Sequence, residues 1–202
     1  MPAAYHDFPP RPIPAHEYRR ERWRNGHGWT REIARWPESG DWDWRLSIAE
    51  VEAPAPFSRF DGVARELVLL SGNGLRLRFD DGETHELLPP HGRLRFAGTR
   101  AVTGEPIDGP THDFNLMWRE DRIDARLLHR PLVGAMVVFV EAGECWALHL
   151  LAGHLAFADG TPLPALAAGD TVLLTAPTAR TRYVIDGGGE ALLIQLTPRT
   201  SG

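Results

Sequence analysis

Lysine is absent from this chain: all 22 basic residues are arginine, against 27 acidic ones, for a formal net charge of −5. An acidic balance excludes a general nucleic-acid binder, because phosphate neutralisation needs a net basic face. A coding bias explains a chain-wide lack of lysine, although arginine does match a carboxylate's two oxygens with its planar fork. Cysteine is nearly absent too. Cys145 stands alone, which rules out an intrachain disulfide, a cysteine zinc site and a C-x-x-C redox pair. No apolar run reaches membrane length, and the longest, P-L-V-G-A-M-V-V-F-V (131–140), falls well short. The N-terminus lacks the apolar core of a secretory signal, so a soluble, cytoplasmic protein is expected. P-loop, dinucleotide fingerprint, H-E-x-x-H and Ser-His-Asp order are all missing, and so is any H-x-H pair.

Helical periodicity is scarce, and short apolar or alternating runs take its place. Gly, Pro or Asp-Gly interrupts them about every ten residues, the pattern of an all-β protein. Five prolines in residues 1–15 predict a poorly ordered arm. E-L-V-L-L-S-G-N-G-L-R-L-R-F (66–79) reads as a hairpin turning at Gly72-Asn73-Gly74, and Asp81-Gly82 reverses the chain again. Further strands are expected at 136–140, 145–151, 154–157, 171–175, 181–185 and 191–196, with Asp159-Gly160, Gly169-Asp170 and Gly187-Gly188-Gly189 as separators. L-V-L-L-S-G-N-G-L-R-L in the first half echoes A-L-H-L-L-A-G-H-L-A-F in the second. This predicts two related sandwich halves, 16–125 and 126–202, packed as one unit.

The order strand, Gly, strand, then A-A-G-D-T-V-L-L (167–174), is similar to the cupin jelly roll. Metal-binding cupins use an H-x-H pair, a Glu and a later His. Here Phe57 and Phe60 stand where imidazoles would be needed, so no metal and no cofactor are expected. W-R-N-G-H-G-W-T-R-E-I-A (23–34), D-W-R-L-S-I-A-E-V (43–51), P-F-S-R-F-D-G (56–62), R-E-L-V-L-L-S-G-N-G (65–74) and H-D-F-N-L-M (112–117) together resemble the HutD/Ves family of metal-free bicupins, in the family's order. His27 and Trp29 depart from its usual residues. The resemblance implies a small-ligand or regulatory role linked to histidine utilisation, without supplying a reaction.

Within those segments, strand alternation puts Trp44, Leu46 and Ile48 on one face and Arg45, Ser47 and Ala49 on the other. Phe114, Leu116 and Trp118 likewise oppose Asp113, Asn115 and Met117. The apolar faces are expected to fill the space between sheets, and the polar faces to hold a small carboxylate. Arg45 is the anchor in this reading. Trp23, Asn25, Gly26, Thr30, Ser47 and Asn115 surround the ligand, and Glu32 or Asp113 pairs with Arg45 or takes a ligand N–H. Two simpler alternatives stay open: a Glu32–Arg45 bridge that only ties strands together, and tryptophans that only pack the core. His112 beside Asp113 is the best acid–base candidate, on the premise that the carboxylate raises its pKa. A sensor or modulator that binds urocanate or formylglutamate is therefore expected, with a cofactor-independent isomerase, lyase or hydrolase using His112/Asp113 or Glu32 as the alternative. Neither a nucleic-acid nor a membrane partner is expected, and a homodimer is left open.

Overall fold

Alternating apolar residues with β-branched and aromatic neighbours favour pleated, half-buried surfaces, and sixteen strands follow from them. In this computed structural model, which describes residues 6–158 and 160–199, the only helical element among them is one short 3-10 turn, Ala15–Glu17. No helix among those residues is long and apolar enough to cross a membrane. The strands are β1 (Arg11–Ile13), β2 (Arg19–Arg22), β3 (Gly28–Trp36), β4 (Trp44–Val51), β5 (Ala55–Pro56), β6 (Val63–Ser71), β7 (Leu75–Phe79) and β8 (Thr84–Leu87). They continue with β9 (Arg93–Ala97), β10 (Val102–Pro106), β11 (Thr111–Arg119), β12 (Ile123–Val140), β13 (Cys145–Phe157), β14 (Leu166–Ala167), β15 (Thr171–Thr175) and β16 (Thr181–Pro198).

Two compact units result. One comprises residues 18–121, and the other combines 1–17 with 122–202. In the first, a six-stranded sheet runs β2-β3-β4-β11-β6-β9 and a four-stranded sheet runs β5-β10-β7-β8. Ala49, Val51, Leu67 and Leu69 of the larger sheet share a core cluster with Leu75, Leu77, Phe79 and Val102 of the smaller. The second unit has one sheet, β1-β15-β13-β16-β12, with β14 on β13. Its core gathers Leu148, Leu150, Val172, Leu174, Tyr183 and Ile185.

Several expectations change here. The proline-rich segment is no loose arm over its described part. β1 pairs with β15 from Arg11↔Leu173 to Ile13↔Thr171, Thr175 Oγ1 donates to the Phe8 carbonyl at 2.6 Å, and the Ala15 amide donates to Asp170 Oδ1 at 2.8 Å. Pro12 is tolerated because an edge strand leaves one side of its backbone unpaired. Residues 1–5 lie outside the described residues, as does Asp159 of the Asp159-Gly160 separator. The units divide between Asp121 and Arg122, just before β12, whose 18 residues pair throughout with β16, from Ile123↔Pro198 to Val140↔Thr181.

The Gly187-Gly188-Gly189 run does not separate two strands either, because β16 passes straight through it. A Cβ on Gly189 would overlap the Ala152 carbonyl oxygen, and one on Gly153 would overlap the Gly188 carbonyl oxygen. These glycines thus mark close backbone approach within the sheet. In the first unit β6 and β7 form no hairpin. β6 pairs with β11 and β9 while β7 pairs with β10 and β8, so Gly72-Asn73-Gly74 carries the chain between sheets. The Asp81-Gly82 turn does close a hairpin, with Leu75 opposite Leu87 and Arg78 opposite Thr84.

Candidate functional site

Period-two alternation fixes what the larger sheet of the first unit presents. In register across β4, β11 and β6 lie Arg45–Met117–Arg65, then Ser47–Asn115–Leu67, then Ala49–Asp113–Leu69. Directly opposed residues point to one side, so this face grades from two guanidiniums, through small polar groups, to an apolar floor that contains one carboxylate. It faces the four-stranded sheet, since Ala49, Leu67 and Leu69 belong to the shared core. This reverses the expected roles. Trp44, Leu46, Ile48, Phe114, Leu116 and Trp118 are buried on the opposite face. Alternation shows that two faces differ, but not which one is interior when both are covered.

At the arginine end a cavity of about 490 Å³ opens within this unit, a size suited to a small molecule. Trp23, Asn25, Thr30, Arg45, Ser47 and Asn115 line it, so six of the residues singled out from sequence converge. The β2–β3 connection supplies Trp23 and Asn25, and β3 supplies Thr30. Trp23 Nε1 donates to Thr30 Oγ1 at 2.9 Å, and Asn25 Oδ1 accepts the His27 amide at 3.0 Å, which closes the turn. Gly26 has no side chain to offer the cavity. At φ +75° it makes the turn, and its amide donates to the Trp23 carbonyl.

Glu32 is likewise not part of the lining. Its Oε2 accepts from Arg45 Nε at 2.6 Å, and it also approaches Arg35 at 3.8 Å. The bridge holds Arg45 in place and leaves the guanidinium's other nitrogens free of that bond. Asp113 lies below the lining at 0% exposure. Neither carboxylate oxygen has a hydrogen-bond partner, so Asp113 does not pair with Arg45. Burial pushes its carboxyl up to about 7, opposed by the Arg65 charge.

His112 is placed elsewhere. It points to the opposite face from its chain neighbour, and burial moves its pKa down, with Glu50 opposing and Arg31 and Arg20 reinforcing. The raised pKa expected from Asp113 therefore does not occur, because adjacent strand residues face opposite ways. His112 lies outside the cavity lining, and no histidine or cysteine is among the lining residues.

Sequence reasoning missed Arg65, Phe57, Phe60, Ser58 and Met117, all of which line the cavity. Arg65 is the most consequential. It is only 4% exposed, with its guanidinium centre 5.3 to 5.8 Å from the ring centroids of Phe96, Phe57 and Phe60. One terminal nitrogen donates to the Ser58 carbonyl at 3.2 Å, while Nε has no partner. Burial lowers its pKa to about 10, with Asp113 raising and Arg45 lowering it, so it stays cationic at neutral pH. A signal for it exists: Arg65 alternates with Leu67 and Leu69, a charge on an apolar stripe. Phe57 also packs edge-on against Trp23 at 5.8 Å, and its ring occupies the space a Cβ on Gly104 would need. The arrangement suits an anion held by Arg45 and Arg65, with Asn115, Ser47 and Thr30 positioned to orient it.

Comparison with known proteins agrees with this architecture. The structure of HutD from Pseudomonas fluorescens SBW25 superposes with a TM-score of 0.82 at 30% identity, covering 95% of this chain and all of that one. The Escherichia coli pirin YhhW, at 11% identity, shares the fold alone, with a TM-score of 0.68 over 95% of this chain and all of that one. An uncharacterised 21.2 kDa protein in the hutC 3′ region of Pseudomonas putida is 39% identical over 117 residues, spanning 56% of this chain and 60% of that relative's length. Protein Ves of Citrobacter koseri is 34% identical over 171 residues, spanning 70% of this chain and 89% of that protein. The HutD family model itself matches residues 15–193, and the chain belongs to the HutD family.

Proposed function

We propose that this protein binds a small carboxylate metabolite and acts as a sensor or modulator of histidine utilisation, with urocanate and formylglutamate as the first ligands to test. The observation that carries this reading is that Arg45 and Arg65 converge from one sheet face into a cavity of about 490 Å³, whose lining also includes Arg22 and Arg24. A desolvated cation such as Arg65, beside hydrogen-bonding side chains, attracts an anion far more strongly than the same group would in water. The hut-region relative and the HutD family membership support the metabolic context. Binding without turnover is preferred because no histidine or cysteine lines the cavity beside the Ser47, Ser58 and Thr30 hydroxyls, and the carboxylate in the lining, Glu21, stands on the exposed strand β2.

Thermal denaturation with urocanate, formylglutamate and unrelated carboxylates tests the reading. A specific ligand at a hundred times its Kd stabilises the fold by about 2.7 kcal/mol. The expected result is stabilisation by one metabolite, recovered intact, that disappears in Arg45→Ala. Stabilisation unchanged in Arg45→Ala, or none from any carboxylate, would overturn it. One observation favours a second reading as a cofactor-independent enzyme: Asp113 titrates near neutrality beneath the cavity. Ligand consumption by the wild type that is lost in Asp113→Asn would establish that reading instead.

A further inference from the structure

We propose that Asp113 is the proton acceptor of this site: an anion entering the cavity binds together with one proton from solvent, which is taken up by the Asp113 carboxylate. The inference rests on the carboxylate-binding reading and says what that binding does to the charge between the two sheets of the first unit.

The argument is one of charge balance in a dry place. Asp113 sits in the apolar row between Ala49 and Leu69, wholly buried, with neither oxygen hydrogen-bonded. An ionised carboxylate in such surroundings is costly unless a cation offsets it. The offset comes from Arg65, two rows away on β6, which is itself buried and has its Nε unpartnered. The two are joined by no hydrogen bond or close ion pair, so field alone couples them.

The other charges on this face come from β2, β3 and β4. β2 contributes Arg19 and Glu21, β3 contributes Glu32 and Arg35, and β4 contributes Arg45, which Glu32 already engages; Glu21 stands in Asp113's own row, beyond Ala49 and Thr30. Arg22 and Arg24 join them in the cavity lining. On the same face of β11, Thr111 and Asn115 flank Asp113. The opposing core of this unit is apolar: Leu94 and Phe96 from β9, Leu75, Leu77 and Phe79 from β7, Leu87 from β8 and Val102 from β10. His112 and its charged neighbours Glu50, Arg31 and Arg20 occupy the opposite face.

With the cavity unliganded, Arg65 and Asp113 together are close to neutral. When a carboxylate settles on Arg65 and Arg45, the guanidinium's field is spent on the ligand, and a second buried negative charge has no compensation. Protonating Asp113 restores the balance. No bond to the ligand forms or breaks; one proton moves from water to a carboxylate oxygen.

The sign follows from linkage. Ligand raises the proton affinity of Asp113, so binding is strongest where Asp113 is already protonated and weakens as pH rises through its unliganded value of about 7. For one linked proton the affinity is about tenfold weaker at pH 8 than at pH 6.

Calorimetric titration of the protein with formylglutamate tests this, since that probe has no group titrating between those values. It is run at both pH values in two buffers of different ionisation enthalpy. The expected result is net uptake of close to one proton at pH 8, the tenfold change in Kd, and loss of both in Asp113→Asn but not in His112→Ala. Should Asp113→Asn fail to fold, the wild-type proton uptake and the Asp113 carboxyl carbon resonance, followed against pH with and without probe, decide the matter alone. Binding of equal strength at both pH values with no proton uptake overturns this inference and leaves the binding function standing. Failure of the wild type to bind formylglutamate at either pH overturns the site's assignment to that ligand and this inference with it.

Discussion

Replacing Asp113 by Asn tests the energetics of the space between the two sheets of the first unit without any ligand. The carboxyl rises from an ordinary 3.8 to about 7 because burial penalises its charge more than Arg65 relieves it. Between those values the folded chain keeps a proton that the unfolded chain has lost, so wild-type stability falls as pH rises through that window. Each pH unit is worth about 1.4 kcal/mol, and the whole interval about 4 kcal/mol. Asn cannot ionise and removes this dependence. Below pH 7 the protonated wild-type carboxyl exerts no negative field on Arg65, and Arg65 stays charged until about pH 10, so Arg65 adds no slope of its own in this window. Urea unfolding of both proteins at half-unit steps from pH 4.5 to 8 gives the difference directly, with contributions from every other group cancelling. The variant is expected to gain on the wild type by about 1.4 kcal/mol per pH unit up to pH 7 and to run parallel above it. A difference that is flat from pH 4.5 to 6.5 would mean that Asp113 titrates normally and that its burial costs nothing.

Other perturbations read the remaining parts of the structure. Gly104→Ala pushes a methyl into the Phe57 ring, which must swing away from Arg65, so a loss of about 1–3 kcal/mol in stability and weakened carboxylate binding are expected together in unfolding and titration experiments. Gly153→Ala places a Cβ against the Gly188 carbonyl at φ +87°, a backbone clash with no flexible side chain to yield. Chemical denaturation is expected to show a loss of about 3 kcal/mol or more with the Asp113 titration untouched. His112→Ala is expected to leave carboxylate affinity within twofold of wild type, because the imidazole lies on the far face of β11. Glu32→Gln removes the charge that holds Arg45, and a several-fold rise in Kd with little change in melting temperature is expected, since the bridge is partly exposed.

Local chemistry determined much of what is seen here. The scarcity of helical periodicity and the Gly, Pro and Asp-Gly punctuation foretold an all-β chain, and the Asp81-Gly82 hairpin appears as read. Thr30, Arg45, Ser47 and Asn115 were legible because period-two alternation is a property of each strand alone, and Asn25 because a turn's residue types reveal its geometry. Which strands share hydrogen bonds was not legible. Gly72-Asn73-Gly74 guarantees a reversal, but only the pairing of both edges of β6, with β11 and β9, sends β7 to the other sheet. The same limit hid Arg65 and misplaced Asp113. Their roles arise from rows that cross β4, β11 and β6, strands separated along the chain and joined only by packing. A sequence states which groups a strand carries on each side, whereas the dielectric around those groups, and hence their charge, is set by what folds over them.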